Sequence, residues 1–343
     1  MAIQQRDTRG ALKVVVLTGG STPERNVALG GAVRVADALR TRGHDVSVVD
    51  TCLGPLSSDA ESRLTEATLG VAPPPEDTLA ELRDQEDWIH LVRDPLLQSA
   101  DVVFPVLHGG SVEGGSLQGL LETAGIHFIG SDMRGSLLAM DKRVSKTLFR
   151  ETGIPTPDWV TWPTTTDKVE RLGYPLIVKP SRVGSTVGLS LVRDPDDLPE
   201  AVGHAQRFDS EILIEQFVEG RELTVGILGD EALAVGEIIP KAEIFDYECK
   251  YTPGMSEEIF PAPVDSRLTE RIQSLGLQVH NALRLRHLSR VDFRVREDGT
   301  CHCLEANTLP GFTEMSLLPQ SAAAHGIPYA DLCERLCRLA LEA

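Results

Sequence analysis

The stretch "SRVDFRVREDGTCHCLEANTLPG", residues 289–311, constrains this chain more than any other. Two β-like runs flank Asp298-Gly299, a strong hairpin signal. With those two residues as the loop, Glu297 faces Thr300. Asp292 then lies opposite Glu305, and Arg290 opposite Asn307. Alternation turns all four to one face. It turns Val291, Phe293, Val295, Leu304 and Ala306 to the other, with His302 among them. Facing carboxylates repel by ~0.2–1 kcal/mol when solvated and by more when buried. A bound hard cation removes that repulsion, and two carboxylates with an amide oxygen suit Mg2+ or Mn2+. An exposed hairpin with incidental charges fits the same pattern. A one-residue bulge at Gly299 would shift the register and separate the facing pairs.

At 343 residues the chain is too long for one compact core, so two or three packed units are expected. Its formal net charge of -18 repels phosphate backbones and argues against a nucleic-acid partner. No run approaches the roughly 18–20 apolar residues that span a bilayer, and the N-terminus lacks a signal-peptide pattern. The six cysteines include no CxxC pair, which makes a structural zinc site improbable. Cys333 and Cys337 share a helix face and read as buried free thiols, consistent with a reducing cytosol.

"KVVVLTGG" reads as a strand, "GGAVRVADALRTRG" as a helix stopping at Gly43, and "HDVSVVD" as a second strand. An acidic, Pro-containing region from about 52 to 100 reads as a surface insertion with one short helix, "DTLAELRDQEDWIHLV". "ADVVFPVLHGG" restores a buried strand, so the first unit is expected to be doubly wound α/β. "GSLQGLLETAG" is a helix, "IHFIG" a short strand, and a new unit begins near Ser131. "MDKRVSKTLFRETG" is helical and "IPTPDWVTW" an extended connector. "YPLIVKPSRVGSTVGLSLV" gives two strands around a Gly/Ser-rich loop. "ILIEQFVEG" and "RELTVGILGDEALAVGEII" read as antiparallel, with "GDEA" as a hairpin turn, and "PYADLCERLCRLALE" as the final helix. Tight turns in place of βαβ repeats make the second half α+β.

Mg2+ commonly binds substrate phosphates alongside a few carboxylates, so a phosphate cradle is expected elsewhere. "VKPSRVGSTVGLS" fits: Lys179 ends a strand, and Gly184, Ser185, Thr186 and Gly188 form a loop of small donors. Gly/Ser hairpins are common, and only the combination with Lys142 and Lys250 carries weight. Glu215 and Glu222 in "ILIEQFVEGRE" suit ribose hydroxyls, or are charged ends of surface strands. Glu24, on the connection to the first helix, suits a substrate ammonium or serves as a first-turn acid favoured by the helix dipole. His108 in "VLHGGSVEGG" occupies a strand-end position, open to a catalytic or a backbone-satisfied role.

Taken in chain order, these stretches closely resemble the D-alanine–D-alanine ligase family of ATP-grasp enzymes. The carriers are "LTGGSTPERNVAL", "HGGSVEGGSLQGLLETAGIHFIGSDMRGSLLAMDK", "GIPTPDWV", "VKPSRVGSTVGLS", "LIEQFVEGRELTV", "FDYECKYTPG", "RVDFRV" and "LEANTLPGFTEMSLLP". The resemblance implies an N-terminal Rossmann-like domain over residues 1–130, followed by a two-subdomain ATP-grasp fold, central at 131–214 and C-terminal at 215–343. By the same resemblance Asp292, Glu305 and Asn307 are ligands of Mg2+ or Mn2+, two ions in all. Lys142, Lys179 and Lys250 contact ATP phosphates, and Glu215 and Glu222 the nucleotide. Glu24 accepts the first D-alanine ammonium, within a hydrogen-bonded set that includes Ser185 and Tyr251. Arg290 and the Gly311 N–H are oxyanion donors, Ser316 and Leu317 bind the second substrate, and His108 lies near the first.

The chain departs from the family pattern at Ala28, Gly30 and Gly114, all on the N-terminal substrate side. Lys250-Tyr251, which variants preferring D-lactate lack, is retained. The resemblance therefore implies cytoplasmic, ATP-dependent joining of two D-alanines through an acyl phosphate. Small-molecule substrates are the expected partners, without nucleic acid or membrane, and a homodimer is left open. The rivals are a ligase for another second substrate, such as D-serine or D-lactate, and a nucleotide-binding module without catalysis.

Overall fold

A computed structural model describes residues 10–66, 73–241 and 254–342 of the chain. The β-branched run Lys13–Thr18 forms β1, which pairs in parallel with β2 (Asp45–Asp50) and with β4 (Val102–Pro105). Gly54–Pro55, the short β3, extends the sheet to the order β3-β2-β1-β4. Helix α1 (Arg25–Thr41) lays Ala32, Val35, Ala36 and Leu39 on Val14, Val16, Val46 and Val48. It starts at Arg25, earlier than the glycine pair suggested, because Ala28 and Leu29 already belong to its buried face. The expected strand "IHFIG" is reduced to a single parallel bridge between Val103 and Phe128.

The region expected as a surface insertion is partly core. It carries α2 (Ser58–Glu66), α3 (Glu76–Gln85), α4 (Trp88–Leu91) and α5 (Pro95–Ser99). Leu91, Val92 and Leu97 pack with Val15, Leu17 and Val103 on the face opposite α1. The single helix expected over 77–92 is two. Asp87 breaks it by accepting the His90 N–H at 2.9 Å and capping α4. Then follow α6 (Gly110–Glu113), α7 (Ser116–Thr123), α8 (Met133–Met140) and α9 (Lys142–Glu151).

A second sheet is antiparallel in the order β5-β8-β6-β7, from Trp159–Trp162 (β5), Leu176–Pro180 (β6), Ser190–Val192 (β7) and Ile212–Gln216 (β8). The stretch read as an extended connector thus ends as edge strand β5. Helices α10 (Thr166–Glu170) and α11 (Leu198–Ala205) cover this sheet through Val169, Val202 and Ala205. The "ILIEQ" strand pairs with β5 and β6 and not with the following run. The break expected before Glu215 accordingly falls inside β8.

The third sheet runs β11-β10-β9-β12-β13. Its strands are Arg221–Leu228 (β9), Glu231–Pro240 (β10), Ser256–Ile259 (β11), Leu288–Val295 (β12) and Cys301–Asn307 (β13). Helix α12 (Ser266–Ala282) buries Ile272, Leu275 and Val279 behind it. Helices α13 (Leu317–Ala324) and α14 (Tyr329–Glu342) close the molecule, with Cys333 and Cys337 buried beside α1 residues. No described helix is long and apolar enough to cross a membrane.

The β12–β13 hairpin departs from the expected pairing and then returns to it. Arg296 N–H donates to Thr300 O at 3.0 Å, so the loop is Glu297-Asp298-Gly299, with Gly299 at φ 81°. Val295 therefore faces Cys301, and Phe293 faces Cys303. An irregularity at Leu304 restores Asp292 opposite Glu305 and Arg290 opposite Asn307. The two offsets cancel at the site. Cys301 and Cys303, not Leu304, fill the core face, while Leu304 lines the cleft and His302 sits opposite Arg294.

Candidate active site

The three oxygen-bearing residues of the hairpin share one face. Asp292 accepts from Arg290 Nε at 3.0 Å and Nη2 at 2.8 Å, from Thr224 Oγ1 at 2.7 Å, and from Asn307 Nδ2 at 3.0 Å. Glu305 lies 3.2 Å from Lys142 Nζ. Cations and donors from α9, β9, β12 and β13 thus offset the charge of the two carboxylates. Two carboxylates and an amide oxygen in register form a hard donor set that fits Mg2+ or Mn2+. Among the described residues there is no group of three or more His, Cys, Asp or Glu that suits a metal.

Lys142 opens α9, where Asp141 caps the helix through the Val144 N–H at 3.0 Å. Its Nζ also donates to Val183 O at 3.0 Å, tying it to the glycine-rich loop. Lys179, the penultimate residue of β6, donates to Glu215 Oε1 on β8 at 2.9 Å. Burial raises the Glu215 carboxyl, but the ammoniums of Lys146 and Lys179 outweigh it and hold the group below the ordinary carboxylate value. Lys142, Lys179, Glu215, Glu222, Asp292 and Glu305 line one cleft between the second and third sheets. The cleft opens to solvent at its mouth. Its apolar walls, including Ile177, Leu189, Phe217 and Leu304, suit a flat base.

Glu24 precedes α1 without capping it. Its carboxylate, 8% exposed, instead accepts Ser185 Oγ at 2.7 Å, a contact between residues 161 positions apart. Ser185 and Thr186 take φ of 54° and 63°, strained for residues with a side chain. In that conformation the Ser185 hydroxyl reaches the first unit. His108 is buried beside Glu24, and burial holds its imidazole below the ordinary value, so it is neutral at pH 7. Thr22 Oγ1 donates to His108 O at 2.9 Å and fastens the Glu24 loop to the end of β4.

At the other end, Gly311 stands where a Cβ would approach Ser316 Oγ to 2.9 Å, so only glycine fits without displacing Ser316. Ser316 precedes α13 but leaves its first N–H groups uncapped, accepting instead from Thr313 N–H at 3.0 Å. The Leu317 end of α13 therefore presents backbone donors suited to a carboxylate. Lys250 and Tyr251 lie outside the described residues.

Three functional candidates escaped the sequence reading. Arg294 lines the cleft, 3.0 Å from Glu222. Its signal was its place two residues from Asp292 on the same strand face. Glu113 comes within 3.4 Å of where a Gly184 Cβ would be. Burial, and then the charge of Glu24, push its carboxyl up to about 8. Lys146, one helical turn after Lys142, pairs with Glu215 at 2.7 Å. Helical spacing alone pointed to it.

Two sheets closing on a lysine-lined cleft, with a carboxylate hairpin at its floor and an α/β unit reaching in through Glu24, define an ATP-grasp ligase. Family models described as D-ala D-ala ligase N-terminus and C-terminus match residues 13–131 and 148–338. The chain belongs to the D-alanine–D-alanine ligase family. It is 40% identical to the D-alanine–D-alanine ligase of Geobacter sulfurreducens over 335 residues, 96% of this chain and 95% of that one. The D-alanine–D-alanine ligase of Bacillus anthracis complexed with ATP superposes with a TM-score of 0.77 at 30% identity, covering 97% of this chain and 98% of that one. A D-Ala:D-Ser ligase from Enterococcus faecalis gives 0.78 at 28% identity, covering 96% and 100%.

Proposed function

We propose that this chain joins two D-alanine molecules to give D-alanyl-D-alanine for peptidoglycan precursors, converting ATP to ADP and phosphate. The observation that carries the reading is the 2.7 Å contact from Ser185 to Glu24, which sets an ammonium acceptor beside the phosphate loop. In this reading the first unit, residues 1–130, holds the first substrate. The second unit, which runs on through β8 to Gln216, supplies the phosphate loop, and the third the metal face and second-substrate site. The five described cysteines are unpaired, in keeping with a cytoplasmic enzyme.

Glu24 takes the ammonium of the first D-alanine and directs its carboxylate at the γ-phosphoryl group. An oxygen–phosphorus bond forms, the bond to the bridging oxygen breaks, and ADP departs. Lys142, Lys179 and Lys250 offset charge on the transferring group, so catalysis is mainly positioning and electrostatics. Asp292, Glu305 and Asn307 would hold Mg2+ or Mn2+, two ions in all, which when bound neutralise charge on the phosphoryl oxygens. The second amine then attacks the acyl carbon. Arg290 and the Gly311 N–H stabilise the oxyanion until phosphate leaves with its bonding pair. Neutral His108 orients the first substrate without adding a cation beside Glu24. Ser316 and the Leu317 N–H hold the second carboxylate. Tyr251 joins the Ser185–Glu24 set, keeping water from the acyl phosphate.

The test is dipeptide formation from ATP, Mg2+ and D-alanine, followed by mass, with L-alanine as control and D-serine and D-lactate as competing second substrates. D-alanyl-D-alanine as the dominant product is expected. A preferred mixed product would reassign the second site, and ATP binding without any product would leave a nucleotide-binding module.

A further inference from the structure

Lys146 has no part in the machinery assigned above, yet its side chain is fully buried. An ammonium removed from water costs several kcal/mol unless it is paired, so its position calls for a reason. Its Nζ lies 2.7 Å from Glu215 Oε2 and donates to Thr156 Oγ1 at 2.7 Å. The Trp159 ring covers it with the centroid 5.0 Å away. The other Glu215 oxygen accepts from Lys179 at 2.9 Å. Thr156 Oγ1 donates onward to Cys303 O at 2.9 Å, two residues before Glu305. One ammonium on α9 therefore braces β8 of the second sheet and, through Thr156, β13 of the third.

The geometry points to Lys146 as a positioning residue for ATP: it shares the charge of Glu215, so that Lys179 presents a net positive charge to the triphosphate. This rests on the reading of the cleft as the ATP site. Lys146, Glu215 and Lys179 together carry one net positive charge. Without Lys146, Glu215 and Lys179 neutralise each other, and the phosphate side of the cleft loses that charge. A glutamate that contacts the nucleotide while cancelling its own phosphate lysine would work against binding. The second lysine resolves this conflict.

The groups facing Lys146 are Glu215 from β8, Lys179 from β6, and His302 and Cys303 from β13, while Arg150 of α9 shares the Trp159 ring at 4.1 Å. Burial pushes Lys146 down to about 8, with Glu215 acting against it. Burial also keeps His302 neutral, and it raises the Cys303 thiol well above its ordinary value. Raising the pH from 7 to 9 thus discharges Lys146 while both β13 groups stay neutral.

The experiment is calorimetric binding of a non-hydrolysable ATP analogue with Mg2+, which needs neither D-alanine nor turnover. Lys146→Met is expected to weaken binding at least tenfold at pH 7. Glu113, beside the phosphate loop and also raised to about 8, ionises over the same range, so between pH 7 and 9 wild type should weaken at least fivefold more than the variant. In a double-mutant cycle, Glu215→Gln should cost Lys146→Met at least fivefold less than it costs wild type, because it removes the excess negative charge. Lys146→Arg keeps the charge and should retain most of the affinity. Should Lys146→Met fail to fold, the arginine variant and a pH series in Glu113→Gln, which removes the other group titrating there, still decide. Purely multiplicative losses, a pH-dependent loss in wild type no larger than in Lys146→Met, or loss of binding in Lys146→Arg as large as in Lys146→Met would overturn the inference while leaving the ATP reading intact. A wild type that does not bind the analogue would overturn both.

Discussion

The carboxylates of the metal face are held by the same cations and donors that serve the reaction. Glu305 is drawn to the cleft by Lys142, and Asp292 is gripped by Arg290, Thr224 and Asn307. Converting Glu305 to Gln keeps the shape and removes one charged donor. The expected loss is several kcal/mol of transition-state stabilisation, at least ~100-fold in kcat, read by phosphate release. Near-normal turnover would remove Glu305 from the metal face. At the opposite end, Gly311→Ala brings a methyl to 2.9 Å from Ser316 Oγ. That displacement should raise KM for the second D-alanine roughly 10- to 100-fold, with analogue binding at the ATP cleft unchanged. An unaltered second-substrate KM would place that carboxylate elsewhere.

At the scale of elements, the hairpin shows what a sequence reading can and cannot reach. The pairs Asp292–Glu305 and Arg290–Asn307 were legible because polar and apolar residues alternate on both runs. Leu304 was not, because a bulge is set by how the loop and the core share register, and Cys303 is as apolar as its neighbour. Strands β1, β2, β6 and β9 announced themselves by β-branched runs and glycine turns. The partner of β8 did not, since its sequence fits an edge of either sheet. The Ser185–Glu24 contact had no local signal of its own, and the family resemblance supplied it. The buried histidines carry a prediction at this scale. Burial lowers His280, on α12, and His287, just before β12, to about 4 each. The folded state therefore favours the neutral imidazoles, and the unfolded chain takes up protons first as pH falls below 6.5. Stability present above that pH should be lost between 6.5 and 4, about 2 kcal/mol per histidine by pH 5. His287→Asn tolerates the φ of 62° there. In urea unfolding it should lose about 2 kcal/mol less than wild type between pH 7 and pH 5. An equal loss in both proteins would contradict the assignment.

Over the whole molecule, the functional arrangement depends on a cleft between the second and third sheets, with Ser185 of the second unit reaching Glu24 of the first. Ser185→Ala should raise KM for the first D-alanine by about tenfold, while binding of the ATP analogue stays within twofold, because the hydroxyl faces the substrate side and the phosphate lysines remain. Equal losses for both ligands would mean that the contact only holds the units together. The account's central claim is that a D-alanine carboxylate attacks the γ-phosphoryl group inside this cleft. The most direct measurement uses D-alanine labelled with heavy oxygen in both carboxylate positions and follows the released phosphate by mass. One labelled oxygen per phosphate is predicted, carried over when the acyl phosphate breaks down. Phosphate carrying no labelled oxygen while the dipeptide forms would contradict it.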